Sequence, residues 1–267
     1  MMQNKPYTQK PKIDNLIDIR RNRNVWARLR YEEAERLMKL AFGKRRQNIE
    51  WAIEFYKESL HGKYNIKGFT KEEYPQQWAM VKNALGNTYQ ERIEKGRERN
   101  IYKAIQCYQE ALTVLIKKDV QRANVLINLA LAHDKKRYTN PQNIIDYYSE
   151  SIEIYRLKKL DDKRADAQYN FILFMSIQPL DNNLIVNHLK KGLKQFTREY
   201  NPERWAKLHY TLSTVYNGHG NSKQAIYHAL ECFKFYKQHT YPIQWAMTHH
   251  QLGLAYEGLH TTSMNSK

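Results

Sequence analysis

The chain is expected to be all-α, an α-solenoid of stacked antiparallel helix pairs. Three observations lead there. The composition leaves little for turns, with 10 Gly and 7 Pro in 267 residues, while 42% of the residues are hydrophobic and 27% charged. That is too few turn formers for an all-β chain and matches neither collagen-like nor disordered low-complexity sequence. A short pattern, proline followed three residues later by Trp-Ala, occurs at Pro75–Ala79, Pro202–Ala206 and Pro242–Ala246. Large and small residues then return at the same offsets behind each copy, as expected of a repeat whose core grows linearly along a stack.

Residues 1–20, with Pro6 and Pro11 and few apolar side chains, are expected to form a flexible basic tail. A repeat domain over 21–260 and a frayed terminus over 261–267 follow. Each repeat is read as a first helix, A, nestled against a second helix, B. The first pair carries Ala27, Ala34 and Leu37, then Ala52, Tyr56 and Ser59, with Glu33 where Leu is expected. The second opens at Pro75, because proline at the first helical position loses no needed amide bond and already has a helical φ. Leu85, Gly86 and Tyr89 mark its A helix, and Ala104, Tyr108 and Ala111 its B helix.

In the third pair Ala123, Leu129, Ala130 and His133 lead to Ile145, Ser149 and Ile152. In the fourth, Ala165, Phe171, Ile172 and Met175 lead to Ile185, Leu189 and Gly192. The fifth opens at Pro202 and runs through Leu212, Ser213 and Tyr216 to Ala225, Ala229 and Cys232. The sixth opens at Pro242, carries Leu252, Gly253 and Tyr256, and supplies a single A helix as a terminal cap. The alanines at 27, 79, 123, 165, 206 and 246 are spaced by 52, 44, 42, 41 and 40 residues. The two longest intervals contain matching inserts, Lys44-Arg45-Arg46 with Asn48-Ile49 and Arg97-Glu98-Arg99 with Asn100-Ile101.

These offsets resemble the tetratricopeptide repeat: a small residue after Leu and then an aromatic in helix A, and Ala-x-x-x-aromatic-x-x-Ala in helix B. The resemblance covers roughly residues 24 to 258, with a period longer than the usual figure of about 34 residues. It implies a right-handed superhelix whose A helices line a concave groove that receives extended segments of partner proteins. Carried over position by position, the groove offsets of that family fall on Asn83 and Asn87, Tyr169 and Leu173, Lys207 and Tyr210, and His250.

Asparagine amides suit such a groove because each can pair with both the carbonyl and the amide of an extended main chain. Tyr169, Tyr210 and His250 would add aromatic walls with polar tips. Tyr89, Tyr108 and Tyr216 stand at packing offsets and belong to the core. Trp78, Trp205 and Trp245 are expected to lock each repeat onto the preceding B helix. Arrays with this long period and the Pro-x-x-Trp-Ala opening resemble those attached to signalling or protease-effector modules in multidomain bacterial proteins; no room for such a module is expected here, so a separately encoded partner is expected.

Lys and Arg total 44 against 27 Asp and Glu, a net charge of +17. Such a field attracts acidic proteins, nucleic acid or anionic lipid without choosing among them, and clustered Lys and Arg make RNA or DNA the alternative to an acidic protein partner. The clusters are Arg20-Arg21-x-Arg23, Lys44-Arg45-Arg46, Lys117-Lys118, Lys135-Lys136-Arg137 and Lys158-Lys159 with Lys163-Arg164. No known nucleic-acid motif accompanies them.

An enzyme is not expected: the ten histidines form no His-Glu-x-x-His, and there is no phosphate-binding glycine loop and no Gly-x-Ser-x-Gly. His249 and His250 point about 100° apart on a helix and cannot easily share a metal. No cofactor or metal is expected. Cys107 and Cys232 form no disulfide framework and are expected to pack as small apolar residues. No apolar run approaches the roughly 20 residues that span a bilayer. The expected product is a cytoplasmic, non-catalytic adaptor or scaffold that does not enter the membrane.

Overall fold

The computed structural model describes residues 23–40, 44–63, 66–135, 140–176 and 182–264. The expected tail over 1–20 lies outside them, as do Arg20, Arg21, Lys136 and Arg137 of the basic clusters. Among the described residues there are eleven helices and no named strand. They are α1 (Arg23–Lys39), α2 (Arg45–His61), α3 (Pro75–Glu91), α4 (Arg97–Leu112), α5 (Val120–Asp134), α6 (Pro141–Leu157), α7 (Asp161–Ser176), α8 (Asn182–Gln195), α9 (Pro202–Gly218), α10 (Ser222–Cys232) and α11 (Pro242–Met264).

The fold is all-α, built of helix pairs, with α1, α3, α5, α7 and α9 as A helices, the intervening helices as B, and α11 as a further A helix. The chain divides into two compact units, residues 1–164 and 165–267, with the boundary inside α7. In the first unit every helix from α1 to α6 packs on the next, and α1 meets α3 as α3 meets α5. In the second unit α8 packs on α9, α9 on α10 and α10 on α11, while α9 also meets α11.

The core consists of the repeated small and large positions. Ala27, Ala34, Leu37, Ala52 and Tyr56 are buried, as are Ala79, Leu85, Tyr89, Ala104, Tyr108 and Ala111 in the second pair and Ala206, Leu212, Tyr216, Ala225, Ala229 and Cys232 in the fifth. Glu33, at the unusual position of the first A helix, is held by a bidentate pair with Arg36 at 3.0 and 2.7 Å. The third pair departs from expectation by one residue. Ile144, Tyr148 and Ser151 are buried, while Ser149 is exposed and Ile145 and Ile152 only half-buried. The physical reason is the aromatic slot: Tyr148 fills the place that Tyr56 and Tyr108 take in their pairs, and it draws its neighbours into register.

The inserts lengthen mainly the B helices, by four residues, and the links before them by two. α2 and α4 start a turn earlier relative to their core alanines than α10 does. Asn100 is almost fully buried, and its Nδ2 donates to the carbonyls of Arg92 at 2.9 Å and Glu94 at 2.6 Å. It thereby satisfies acceptors that the end of α3 leaves open. The link from α2 to α3 turns at Gly62, whose φ of +77° and 2.0 Å gap between an added Cβ and the Ile66 carbonyl admit only glycine. Arg92 at the end of α3 is buried against Glu50 of α2, which ties the first pair to the second. Arg30 lies between the rings of Trp26 and Phe55, at 5.2 and 5.1 Å, and faces Glu58 at 3.2 Å.

Trp205 and Trp245 sit at repeat junctions. Trp205 is buried with Ala206, Cys232 and Tyr236, with Leu193 of the preceding B helix against the cluster. Trp245 meets Phe233, which follows α10, edge-on at 6.4 Å. Cys107 and Cys232 are free and buried. No helix among the described residues is long and apolar enough to cross a membrane.

Candidate functional site

In the first unit the A helices present a polar stripe. Asn83, Asn87 and Gln90 recur on α3 at spacings of four and three, so they share one face. Each is engaged from a neighbouring helix. Asn128 of α5 donates from Nδ2 to Asn83 Oδ1 at 2.9 Å, and Lys135, just beyond α5, donates to Gln90 Oε1 at 2.9 Å. The hydroxyl of Tyr108 accepts from Gln90 Nε2 at 2.8 Å and donates to Asn87 Oδ1 at 2.7 Å. Burial pushes the Tyr108 phenol well above its ordinary value, so it remains protonated and able to donate.

Gly86 makes this arrangement possible. A Cβ there would meet the Tyr108 ring at 2.5 Å, so only glycine lets the tyrosine reach Asn87. The first pair has the same bond with a carboxylate, Tyr56 to Glu35 at 2.6 Å. Asn87 is therefore partly structural: its carbonyl oxygen is committed to the core tyrosine. The bonds described also leave Asn83 Nδ2 and Asn128 Oδ1 for a further partner, one donor and one acceptor on adjacent A helices.

Asn128 was not among the residues expected at the groove, because it immediately precedes Leu129 and falls outside the offsets carried over. A signal was present in the sequence: Asn124 and Asn128 are spaced by four on α5 as Asn83 and Asn87 are on α3. Asn124 turns to another task, accepting from the Tyr155 hydroxyl at 2.9 Å and from Lys163 at 3.3 Å.

The remaining expected residues lie in the second unit. Tyr169 is half-buried on α7, edge-on to Phe196 at 5.5 Å, and Arg204 lies over both rings while paired with Asp166. Leu173, one turn along, is half-buried. Lys207 is exposed on α9, and Tyr210 is half-buried against the Trp205 and Tyr236 cluster. His250 is exposed on α11. Tyr169 and Tyr210 thus spend much of their ring surface on packing, and the amide stripe of α3 and α5 is the more open polar arrangement.

Electropositive features are concentrated elsewhere in the first unit. A cavity of about 460 Å³ is lined by Lys44, Arg46, Gln47, Glu50, Glu94 and Lys95. Its carboxylates are spoken for, Glu94 by Arg46 at 2.6 Å and Glu50 by Arg92. Lys103 lies 5.3 Å over the Tyr89 ring. Its pKa is lowered by burial and then by the charges of Arg99, Lys57, Arg92 and Lys95. Lys103, Arg99 and Lys95 of the second pair thus stand near Lys57 of α2 and the buried Arg92.

Two histidines carry the largest imidazole perturbations. His209 of α9 and His228 of α10 are buried, with Nδ1 to Nδ1 at 2.9 Å, and burial drops both to about 4. Trp205, Tyr216 and Tyr227 surround them. They join two helices inside the core, closed to substrate. Among the described residues no group of three or more His, Cys, Asp or Glu is arranged to hold a metal ion. No protein-family model matches the chain, and no curated protein matches it.

Proposed function

We propose that this chain is a non-catalytic adaptor of the cytoplasm, tetratricopeptide-like in its repeats, that holds an extended and acidic segment of a separately encoded protein. The observation that carries the reading is the Asn83–Asn128 contact between adjacent A helices. It leaves an amide donor and a carbonyl acceptor side by side, the complement of one extended peptide unit. Lys135, exposed at the end of the stripe, adds the charge that suits an acidic segment. The test is affinity purification from a nuclease-treated lysate followed by the double variant Asn83→Ala with Asn128→Ala. A stoichiometric protein retained by the parent chain and lost with the variant is expected. Retention by both refutes the assignment of the stripe.

A second reading, a nucleic-acid-binding repeat protein, has its own support in the cations grouped around Lys103. Binding of a labelled oligonucleotide would then fall steeply between about 50 and 200 mM salt. The variant Lys57→Glu with Lys103→Glu would abolish it. Salt-independent or absent binding removes this reading.

A further inference from the structure

Among the described residues no helix follows α11. Ala246, Gly253 and Tyr256 occupy the positions of Ala79, Gly86 and Tyr89 in the second pair and of Ala206, Ser213 and Tyr216 in the fifth. In those pairs the positions are buried, and Gly86 is the floor on which the Tyr108 ring rests. On α11 the same three are exposed, Tyr256 at 53%, and an added Cβ on Gly253 would meet nothing within 4 Å. Ile243, Met247 and Leu254 are also exposed beside this seat, Ile243 at 69%. The opposite face, Thr248, Gln251 and Ala255, is buried. α11 therefore offers a formed helix seat, with small residues along its centre and large apolar side chains on its flanks.

We propose that α11 of a second copy of the chain fills this seat, antiparallel, with a twofold axis at Gly253. Charge selects that occupant. α11 contains no Lys or Arg and one carboxylate, Glu257, whereas every other described helix carries at least one Lys or Arg. Two chains of net charge +17 repel each other. α11 is the helical surface on which they can meet without setting lysines and arginines against each other. The helix is also complementary to itself. With Gly253 against its twofold mate, His250 comes beside the partner's Glu257 on one flank, and His249 beside the partner's Tyr256 on the other. Leu254 lies next to its own counterpart. Symmetry makes each unlike contact twice, and glycine at the crossing lets the helices approach at the short end of the usual 8–10 Å separation.

The full-length chain is examined by sedimentation equilibrium between about 1 and 100 μM, a range that resolves micromolar association. The expected result is a concentration-dependent rise to twice the 32.0 kDa chain mass. Gly253→Arg points into open space, so helicity by circular dichroism stays unchanged while association weakens by about tenfold or more. Glu257→Lys and His250→Glu should each impair self-association and restore it when mixed, because the mixed pair keeps one His250–Glu257 contact and sets opposite charges against each other at the other. Gly253→Cys should form an intermolecular disulfide under mild oxidation, while Gly218→Cys, also in open space but on α9, should not. A chain that stays monomeric across the range overturns the proposal, whether or not it binds a helix of another protein. So does a dimer that survives Gly253→Arg, or equal cross-linking at the two introduced cysteines.

Discussion

His209 and His228 share one hydrogen bond between like atoms, so one Nδ1 donates, the other accepts, and both rings are neutral in opposite tautomers. Burial is the main reason that both stay uncharged, followed by Lys234 near His209 and by His209 and Lys190 near His228, with Glu231 acting in the opposite sense on His228. The first proton taken up can be shared along the Nδ1 contact, but a second leaves two cations 2.9 Å apart with no acceptor between them.

The consequence for stability follows from linkage. The folded pKa of each ring lies at about 4, below the ordinary 6.5. Between these values the unfolded chain binds more protons than the folded one. Stability is thus fully present above pH 6.5 and is lost as the pH falls toward 4. At about 1.36 kcal/mol per pH unit, the fall for a ring is worth roughly 3 kcal/mol by pH 4 and about 2 kcal/mol at pH 5. Urea unfolding followed by tryptophan fluorescence at pH 7.5 and at pH 5 reads the part lost by pH 5, with Trp205 tilted against His209 at 4.5 Å as a local reporter. The double variant His209→Leu with His228→Leu removes both partners together and leaves no orphaned polar atom. It should keep most of its stability at pH 7.5 and lose far less than the parent at pH 5. Parallel losses in parent and variant would refute the argument, because the acid sensitivity would then arise outside this pair.

Two further predictions concern packing. Gly86→Ala drives a methyl into the Tyr108 ring and should destabilise the first unit by about 1–3 kcal/mol. Gly218→Ala, where an added Cβ meets nothing, should be neutral or stabilise by up to about 1 kcal/mol; denaturant midpoints that move the same way for both would contradict the close contact at Gly86. Burial raises the Cys107 thiol to about 11 and the Cys232 thiol to about 12. Neither should react with a disulfide reagent at pH 8 until the chain is unfolded, and a thiol titrated rapidly in the native state would refute their placement.

The amide stripe was legible only in part. Asn83 and Asn87 share a face because helical periodicity alone puts them there, and the repeat offsets identify that face. The commitment of the Asn87 carbonyl to Tyr108 depends on a residue in the next helix and on the gap at Gly86. The pairing of Asn83 with Asn128 joins helices 45 residues apart in sequence. No sequence pattern joins His209 to His228, 19 residues apart. Their 2.9 Å contact exists only because α9 and α10 pack face to face.

Local chemistry in the sequence determined the helices and their pairing. Proline set helix starts, and alternating large and small side chains carried the 3.6-residue period that decides which face is buried. Those signals act within a few residues or within one repeat, so they can be read in order along the chain. Tertiary structure decided what depends on contact between distant segments. It set the one-residue register of the third B helix, through the slot that Tyr148 fills. It also extended α2 and α4 over the inserts and selected the asparagines that keep open hydrogen-bonding groups. Finally, it left Gly253 and its neighbours on α11 bare. Packing selects among residues that the repeat pattern treats as equivalent, because burial depends on what lies opposite each side chain as well as on the residue itself.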